Sequence, residues 1–239
     1  MYASVWCTDM KPLTTIVTKN LREAPDIVTV YFTLPNGSTL DYSAGQYVTV
    51  YFEGSSTPEG KAYSLSSMPS EPEMSITVKV IGEFSRKIAS LKPGDNLHIS
   101  EAYGNFGPIT KQPLVCFTAG VGLSPVWSIV KHLHETGDKR QVQLCCSTTT
   151  VENIPFNEPL RELVCIHDAL HVSRYVTRQS SLPSEIIPHR IDFSRYIDPV
   201  ADRFYLLCGS DDFVRSAWQE LTHSGVAARN ISTETFFAS

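Results

Sequence analysis

Met74-Ser75-Ile76-Thr77-Val78-Lys79-Val80 alternates apolar and polar side chains residue by residue, the two-residue period of a strand with unlike faces. The same texture runs from Leu13 to about Thr110. Thr14-Thr15-Ile16-Val17-Thr18, Ile27-Val28-Thr29-Val30-Tyr31-Phe32 and Tyr47-Val48-Thr49-Val50-Tyr51-Phe52 are β-branched and aromatic runs, and Asn96-Leu97-His98-Ile99-Ser100 alternates briefly. Pro35-Asn36-Gly37, Ala44-Gly45, Pro69-Ser70-Glu71-Pro72 and Pro93-Gly94-Asp95 separate them as turns. Short strands at this spacing predict an antiparallel barrel or sandwich. One short helix fits inside it, about Ser85 to Leu91, with Pro93-Gly94 as its stop.

After Lys111-Gln112-Pro113 the period changes. Leu114 to Thr118 is continuously apolar, as in a strand buried on both faces. A glycine turn leads into a helical pattern over Trp127 to His134. Strands are predicted at Val142–Cys146, Val164–His167 and Phe204–Cys208, helices near Asn157–Leu163 and Asp211–His223, and residues 168–199 look irregular. The chain closes on Ile231-Ser232-Thr233-Glu234-Thr235-Phe236-Phe237. Alternating buried strands and helices predict a parallel α/β sheet. The expected organisation is an N-terminal tail at 1–10, a β domain at 11–111 and an α/β domain at 112–239.

Composition narrows the function classes. Hydrophobic residues at 42% and charged residues at 19% describe a chain with a packed core. A net charge of −5 offers no broad positive field for nucleic acid. No run approaches the ~20 apolar residues of a membrane span, and Met1 to Met10 shows no basic stretch leading into an apolar one. Four of the six cysteines, Cys116, Cys145, Cys146 and Cys208, sit in apolar strand-like runs, with Cys165 in a similar one and no C-x-x-C pair. They read as buried free thiols of a cytoplasmic protein without bound metal. The seven histidines form no metal signature and read as surface residues.

Several stretches carry chemistry. Lys61-Ala62-Tyr63-Ser64-Leu65-Ser66-Ser67 packs a cation, a phenol and three hydroxyls into seven residues. That content suits a strand holding a ligand flat at one end and anionic at the other, or a Ser-rich edge strand. Gly82-Glu83-Phe84-Ser85 opens the short helix, with Ser85 as an N-cap or a phosphate donor. Thr118-Ala119-Gly120-Val121-Gly122-Leu123-Ser124-Pro125 is a strand-to-helix turn. There glycines admit close backbone approach, and free amides attract phosphate; a merely tight connection is the alternative. Cys208-Gly209-Ser210-Asp211-Asp212-Phe213 repeats that geometry at a later strand end, pointing to one crevice beyond the carboxyl ends of the strands. Gly104-Asn105-Phe106-Gly107-Pro108 reads as a loop approaching the domain junction.

In this order the motifs resemble the ferredoxin–NADP reductase superfamily. Lys61 to Ser67 resembles its R-x-Y-[ST]-x-x-S flavin motif, and Gly82 to Ser85 its G-x-x-[ST] flavin-phosphate motif. Gly120 to Pro125 matches G-x-G-x-x-P, Cys208-Gly209 matches C-G, and Glu234-Thr235-Phe236-Phe237 resembles the E-x-F ending. The resemblance implies a six-stranded antiparallel Greek-key flavin-binding barrel followed by a parallel, Rossmann-like α/β nucleotide domain. Hydride would pass between the two rings at the junction. Flavin would be held by Lys61, Ala62, Tyr63, Ser64, Leu65, Val78, Val80, Gly82, Phe84, Ser85 and Phe236. NAD(P) would be held by Thr118, Gly120, Gly122, Pro125, Ser147, Thr148, Cys208, Gly209, Asp212 and Phe213. Ser64, Cys208 and Glu234 would stand at the reacting centre. FAD is implied rather than FMN, and the chain's part is orientation and electrostatics.

The implied activity is transfer of hydride from NADH or NADPH to FAD, then of electrons to a [2Fe-2S] protein, a flavodoxin or free flavin. The hydroxyl run Ser147-Thr148-Thr149-Thr150 tilts nucleotide choice to NADH, since a 2′-phosphate wants cations and Arg174 and Arg178 lie further on. A reductase using flavin as a diffusing substrate is the enzymatic alternative, and a non-catalytic subunit with a degenerate flavin site the other. No plant-type [2Fe-2S] cysteine set accompanies these motifs, so that centre is expected on a separate protein, to be absent, or to lie on a part of the protein outside this sequence. Lys61 replaces the family's Arg, turning a planar fork into a point charge. Lys61→Arg should therefore tighten FAD binding in a fluorescence titration; equal or poorer affinity would refute this.

Overall fold

The computed structural model describes residues 12–198 and 202–236. The predicted tail at 1–10, Cys7 and Phe237 lie outside them. Twelve strands divide between two six-stranded sheets.

The first sheet holds β1 (Leu13–Ala24), β2 (Ile27–Thr33), β3 (Tyr47–Tyr51), β4 (Lys61–Ser64), β5 (Met74–Lys79) and β6 (Asn96–Ile99), with helix α1 (Glu83–Ala89) before β6. Its order is β4-β3-β6-β1-β2-β5, every pairing is antiparallel, and a bridge between Leu65 and Ile76 draws the two edges together. This is the predicted Greek-key barrel. β1 can pair with both β2 and β6 because it is long, and shifts of register at Val17/Lys19 and Arg22/Ala24 bend it around the barrel. Alternate residues point inward, so Val28, Val30, Phe32, Ile76, Val78, Leu97 and Ile99 fill the interior.

The second sheet is parallel, ordered β10-β9-β8-β7-β11-β12. It contains β7 (Leu114–Ala119), β8 (Val142–Thr148), β9 (Leu170–Val176), β10 (Ile186–Ile187), β11 (Phe204–Ser210) and β12 (Ile231–Phe236). Helices α2 (Leu123–Glu135), α3 (Asn157–Ile166) and α4 (Asp211–His223) connect strands. The continuous apolar runs are explained by two-sided burial. Leu114, Cys116, Leu144, Cys146 and Leu206 pack with α2 and α3, while Val115, Phe117, Cys145, Tyr205 and Leu207 pack with α4. No helix of the described residues is long and apolar enough to cross a membrane.

Three sequence expectations need correction. The strand predicted at Val164–His167 is the last turn of α3, and the strand comes later, as β9, inside the stretch read as irregular. An apolar run of this length fits helix or strand equally; here Leu160 and Leu163 face the core three residues apart, while Cys165 and Ile166 turn to solvent. Cys165 is thus an exposed thiol, unlike the other described cysteines. His167 is buried rather than superficial, because it lies beneath the end of α3 beside His134, ring centroids 5.4 Å apart.

The two sheets meet along α2. Ser128 Oγ donates to the Ser67 carbonyl at 2.5 Å. Lys131 pairs with Glu71 and lies 5.3 Å from the Trp127 ring centroid. Gly45 sits in this seam at φ 95°, where an added Cβ would fall 2.0 Å from the Phe106 carbonyl oxygen and 3.1 Å from Ile129 Cδ1. Gly45→Ala should accordingly destabilise the protein by about 1–3 kcal/mol through overpacking and left-handed strain. Urea unfolding checks this, with Gly37→Ala, whose Cβ would meet nothing within 4 Å, as the milder control.

Candidate functional site

A cavity of about 750 Å³ opens where the barrel meets the parallel sheet, within the ~300–1,000 Å³ range usual for ligand sites. β4 lends it Lys61, Ala62, Tyr63 and Ser64; β5 lends Val78; the start of α1 lends Gly82, Phe84 and Ser85. β12 faces them with Glu234 and Phe236. Of the predicted flavin residues, Leu65 and Val80 are not on its wall, because both pack into the barrel core. Sequence reasoning missed Tyr47, Thr77, Ile81, Val121 and Ser124, which also line it. Val121 and Ser124 lie inside the glycine motif and could have been found there. Tyr47 and Thr77 carry no local signal, being ordinary strand residues brought to the wall by barrel closure. The loop at Gly104 and Asn105 does reach the junction.

One end of the cavity is aromatic and cationic. Phe84 lies nearly parallel to Tyr63, centroids 6.3 Å apart and planes at 18°, and tilts against Phe52 at 5.1 Å. Lys61 Nζ stands 5.8 Å from the Phe84 ring centroid and Lys87 Nζ 4.4 Å from that of Phe52. Burial pushes the Tyr63 phenol up to about 12, so it stays protonated. The N-cap of α1 is Gly82, not Ser85. Ser85, three residues on, accepts the amides of Ile81 and Gly82 at 3.0 Å each and donates to the Gly82 carbonyl at 3.0 Å. Its hydroxyl thereby shapes the turn, in the manner of a capping box.

The other end joins the two sheets. Ser64 donates to the Glu234 carboxylate, and Cys208 is the register partner of Glu234 in the β11–β12 pairing. Burial raises the Glu234 pKa, partly offset by the Ser64 hydrogen bond. The Cys208 thiol is pushed well up, first by burial and then by the Glu234 charge. It is a protonated thiol without nucleophilic character.

The predicted nucleotide residues gather at the carboxyl ends of β7, β8 and β11, beside the cavity rather than in it. Gly120 adopts φ 53° in the turn before α2. Gly122 packs against β11 so closely that a Cβ would fall 2.3 Å from the Cys208 carbonyl oxygen, and Gly209 has Ala119 Cβ 2.9 Å from the same point. Pro125 is buried in the first turn of α2. Thr118 is buried and donates to the Cys145 carbonyl at 3.4 Å. Ser147 and Thr148 end β8, Thr148 donating to the Thr150 carbonyl at 2.9 Å. Asp212 and Phe213 open α4. Arg174 lies on β9 opposite Cys146, with Nε and one Nη buried and unpartnered, while exposed Arg178 donates its amide to the Thr149 carbonyl at 2.9 Å.

These features fit a flavin with a nicotinamide nucleotide beside it. The surface the cavity exposes is mainly apolar and includes aromatic rings, Lys61 stands at one end, and a glycine-lined crevice adjoins the other.

Residues 14–107 match the oxidoreductase FAD-binding domain family. The reductase component 1 of terephthalate 1,2-dioxygenase from Comamonas is 24% identical over 236 residues, covering 96% of this chain and 69% of that protein. Among solved structures, the FAD/NAD-binding domain of a Vibrio cholerae nitric oxide dioxygenase superposes with a TM-score of 0.84 at 23% identity, covering 94% of this chain and 98% of its own. A Neisseria gonorrhoeae ferredoxin–NADP+ reductase with bound FAD and NADP gives a TM-score of 0.81 at 20% identity, covering 96% and 100%. Joined to the two-sheet architecture and its junction cavity, the match means that residues 14–107 belong to the oxidoreductase FAD-binding domain family, and the whole chain has the fold of these two-domain reductases.

Proposed function

We propose that this chain is a reductase that takes electrons from NADH, and less readily from NADPH, and delivers them one at a time to an iron–sulfur protein. The observation that carries this reading is the bond between Ser64 and Glu234, which seals the cavity by joining an edge strand of each sheet. When bound, FAD supplies the chemistry that converts a two-electron hydride donor into single electrons. The residues supply position. Tyr63 and Phe84 offer flat apolar faces, and Lys61 with the start of α1 offers charge and amides to phosphate. Phe236 closes the opposite side of the cavity, and Cys208, a protonated thiol next to Glu234 in the sheet, would back the nicotinamide. Glu234, buried and bonded to Ser64, can hold or pass a proton at its carboxyl oxygen while the cavity excludes water.

The nucleotide would lie across the ends of β7, β8 and β11. NADH is preferred because Ser147, Thr148, Thr149 and Thr150 offer hydroxyls to a ribose diol. Arg178, held against Thr149, supports use of NADPH as a second substrate. The likeness to the reductase component of a terephthalate dioxygenase supports a protein acceptor, and the resemblance of the motifs makes an iron–sulfur protein the acceptor proposed. Flavodoxin and free flavin are the competing acceptors.

Freshly purified protein should absorb near 370 and 450 nm, roughly where oxidised flavin does, and bleach when NADH is added. A colourless protein that reduces added flavin would instead make flavin a substrate, and one that does neither would make this a binding subunit. The kcat/KM for NADH should exceed that for NADPH; the reverse order refutes the preference.

Glu234 also generates a stability test. Burial raises its folded-state pKa above the unfolded value, so the ionised carboxyl costs stability. That cost is absent below the ordinary carboxylate range and appears as pH rises through the folded value. Glu234→Gln should therefore raise Tm by a few degrees at pH 8 and by progressively less as pH falls toward 4. A gain in Tm that does not change with pH would refute it.

A further inference from the structure

Helix α2 is tied to the barrel along one face. Ser124, Ser128 and Lys131 stand four and then three residues apart, so their side chains leave the helix on the same side. Ser124 is on the cavity wall, Ser128 Oγ donates to the Ser67 carbonyl at 2.5 Å, and Lys131 pairs with Glu71. Ser67 and Ser128 are both fully buried, so neither has water as an alternative partner.

Each end of this contact is locked into its own sheet. Ser67 Oγ accepts the Ser75 amide at 2.9 Å and lies 2.9 Å from the Tyr42 hydroxyl. The neighbouring Ser66 donates its amide to the Ser75 carbonyl at 2.8 Å, and its Oγ lies 2.8 Å from Ser75 Oγ. The chain that carries Ser67 therefore moves only with β5 and the barrel. On the other side α2 starts at Gly122, where an added Cβ would fall 2.3 Å from the Cys208 carbonyl oxygen. The helix therefore moves only with β11 and the parallel sheet.

Ser67 and Ser128 stand behind the cavity, not on its wall, and each chain leads back to it. Ser64 comes three residues before Ser67, and Ser124 one helical turn before Ser128, roughly 6 Å along the axis. Two facing walls thus diverge from one hydrogen bond. Hydride transfer needs its reacting atoms about 3–3.5 Å apart, and a displacement of ~1 Å can cost about a hundredfold in rate.

We propose that Ser128 is a positioning residue for hydride transfer: its bond to the Ser67 carbonyl sets the separation between the flavin wall of the barrel and the nucleotide turn that opens α2. This rests on the reading of the cavity as a flavin site with a nicotinamide nucleotide beside it. Because Ser128 is off the cavity wall, its removal acts on the gap between the two rings and not on the grip on either ligand.

The test uses flavin-loaded protein. Ser128→Ala should slow the bleaching of flavin by saturating NADH, followed by stopped flow, about tenfold or more. It should also weaken the long-wavelength charge-transfer absorbance that stacked flavin and nicotinamide rings produce. The Kd for FAD and, by calorimetry, that for ADP-ribose should stay within about twofold of wild type. Ser128→Thr keeps the hydroxyl and should restore both the rate and the band. Ser128→Cys, a weaker donor, should fall between them and serves if the alanine variant does not fold. Wild-type rate and band in the alanine variant (or in the cysteine variant where alanine does not fold), no rescue by threonine, or a loss shared equally with the two binding constants would overturn the inference. Wild-type protein that binds no flavin, or whose flavin stays oxidised with NADH and NADPH, would instead overturn the reading on which it rests.

Discussion

A serine hydroxyl and a glutamate carboxylate separated by 170 residues meet at the seam of this molecule. Ser64 ends the outermost strand of one sheet, and Glu234 lies on the outermost strand of the other. A carboxylate in a buried place needs a donor, and a buried hydroxyl needs an acceptor. Each supplies what the other lacks, so the two sheets are held with their edges together and the cavity between them is closed on that side. The same burial that makes the contact necessary raises the carboxyl's pKa.

Around that contact the junction mixes apolar packing, Phe106 and Ala44 against α2, with polar contacts. Ser128 on the Ser67 carbonyl and Lys131 on Glu71 are directional contacts, each costly to leave half-made. They fix the angle between the sheets more narrowly than apolar packing would. Glycine does the complementary work inside the parallel sheet. With no Cβ on Gly122, the turn into α2 lies directly on the Cys208 carbonyl, so the crevice at the strand ends is narrow and walled by backbone.

The barrel wall of the cavity was largely legible because its residues lie close together along the chain. Lys61 to Ser64 form one strand and Gly82 to Ser85 one helix start, and local pattern brings such groups to one wall. Val164 to His167 misled for a local reason too. A short apolar run has no period of its own, and whether it is helix or strand depends on what packs on it, here the sheet face that takes Leu160 and Leu163. His167 is hidden by the same helix, and Ser85 moves from cap to third position because Gly82 already takes the extended conformation that a cap requires.

From the sequence alone came the two architectures, the glycine turns and most of the barrel wall of the cavity, because alternation, continuous apolar runs and glycine spacing are written in neighbouring positions. Tyr47, Thr77, Val121 and Ser124 joined the cavity only when the barrel closed and α2 docked against it. The Ser64–Glu234 contact depended on the same event. No pattern along the chain encodes which edges of two sheets will face each other. That choice belongs to the packing of the whole, and it is where the buried carboxylates acquire their partners.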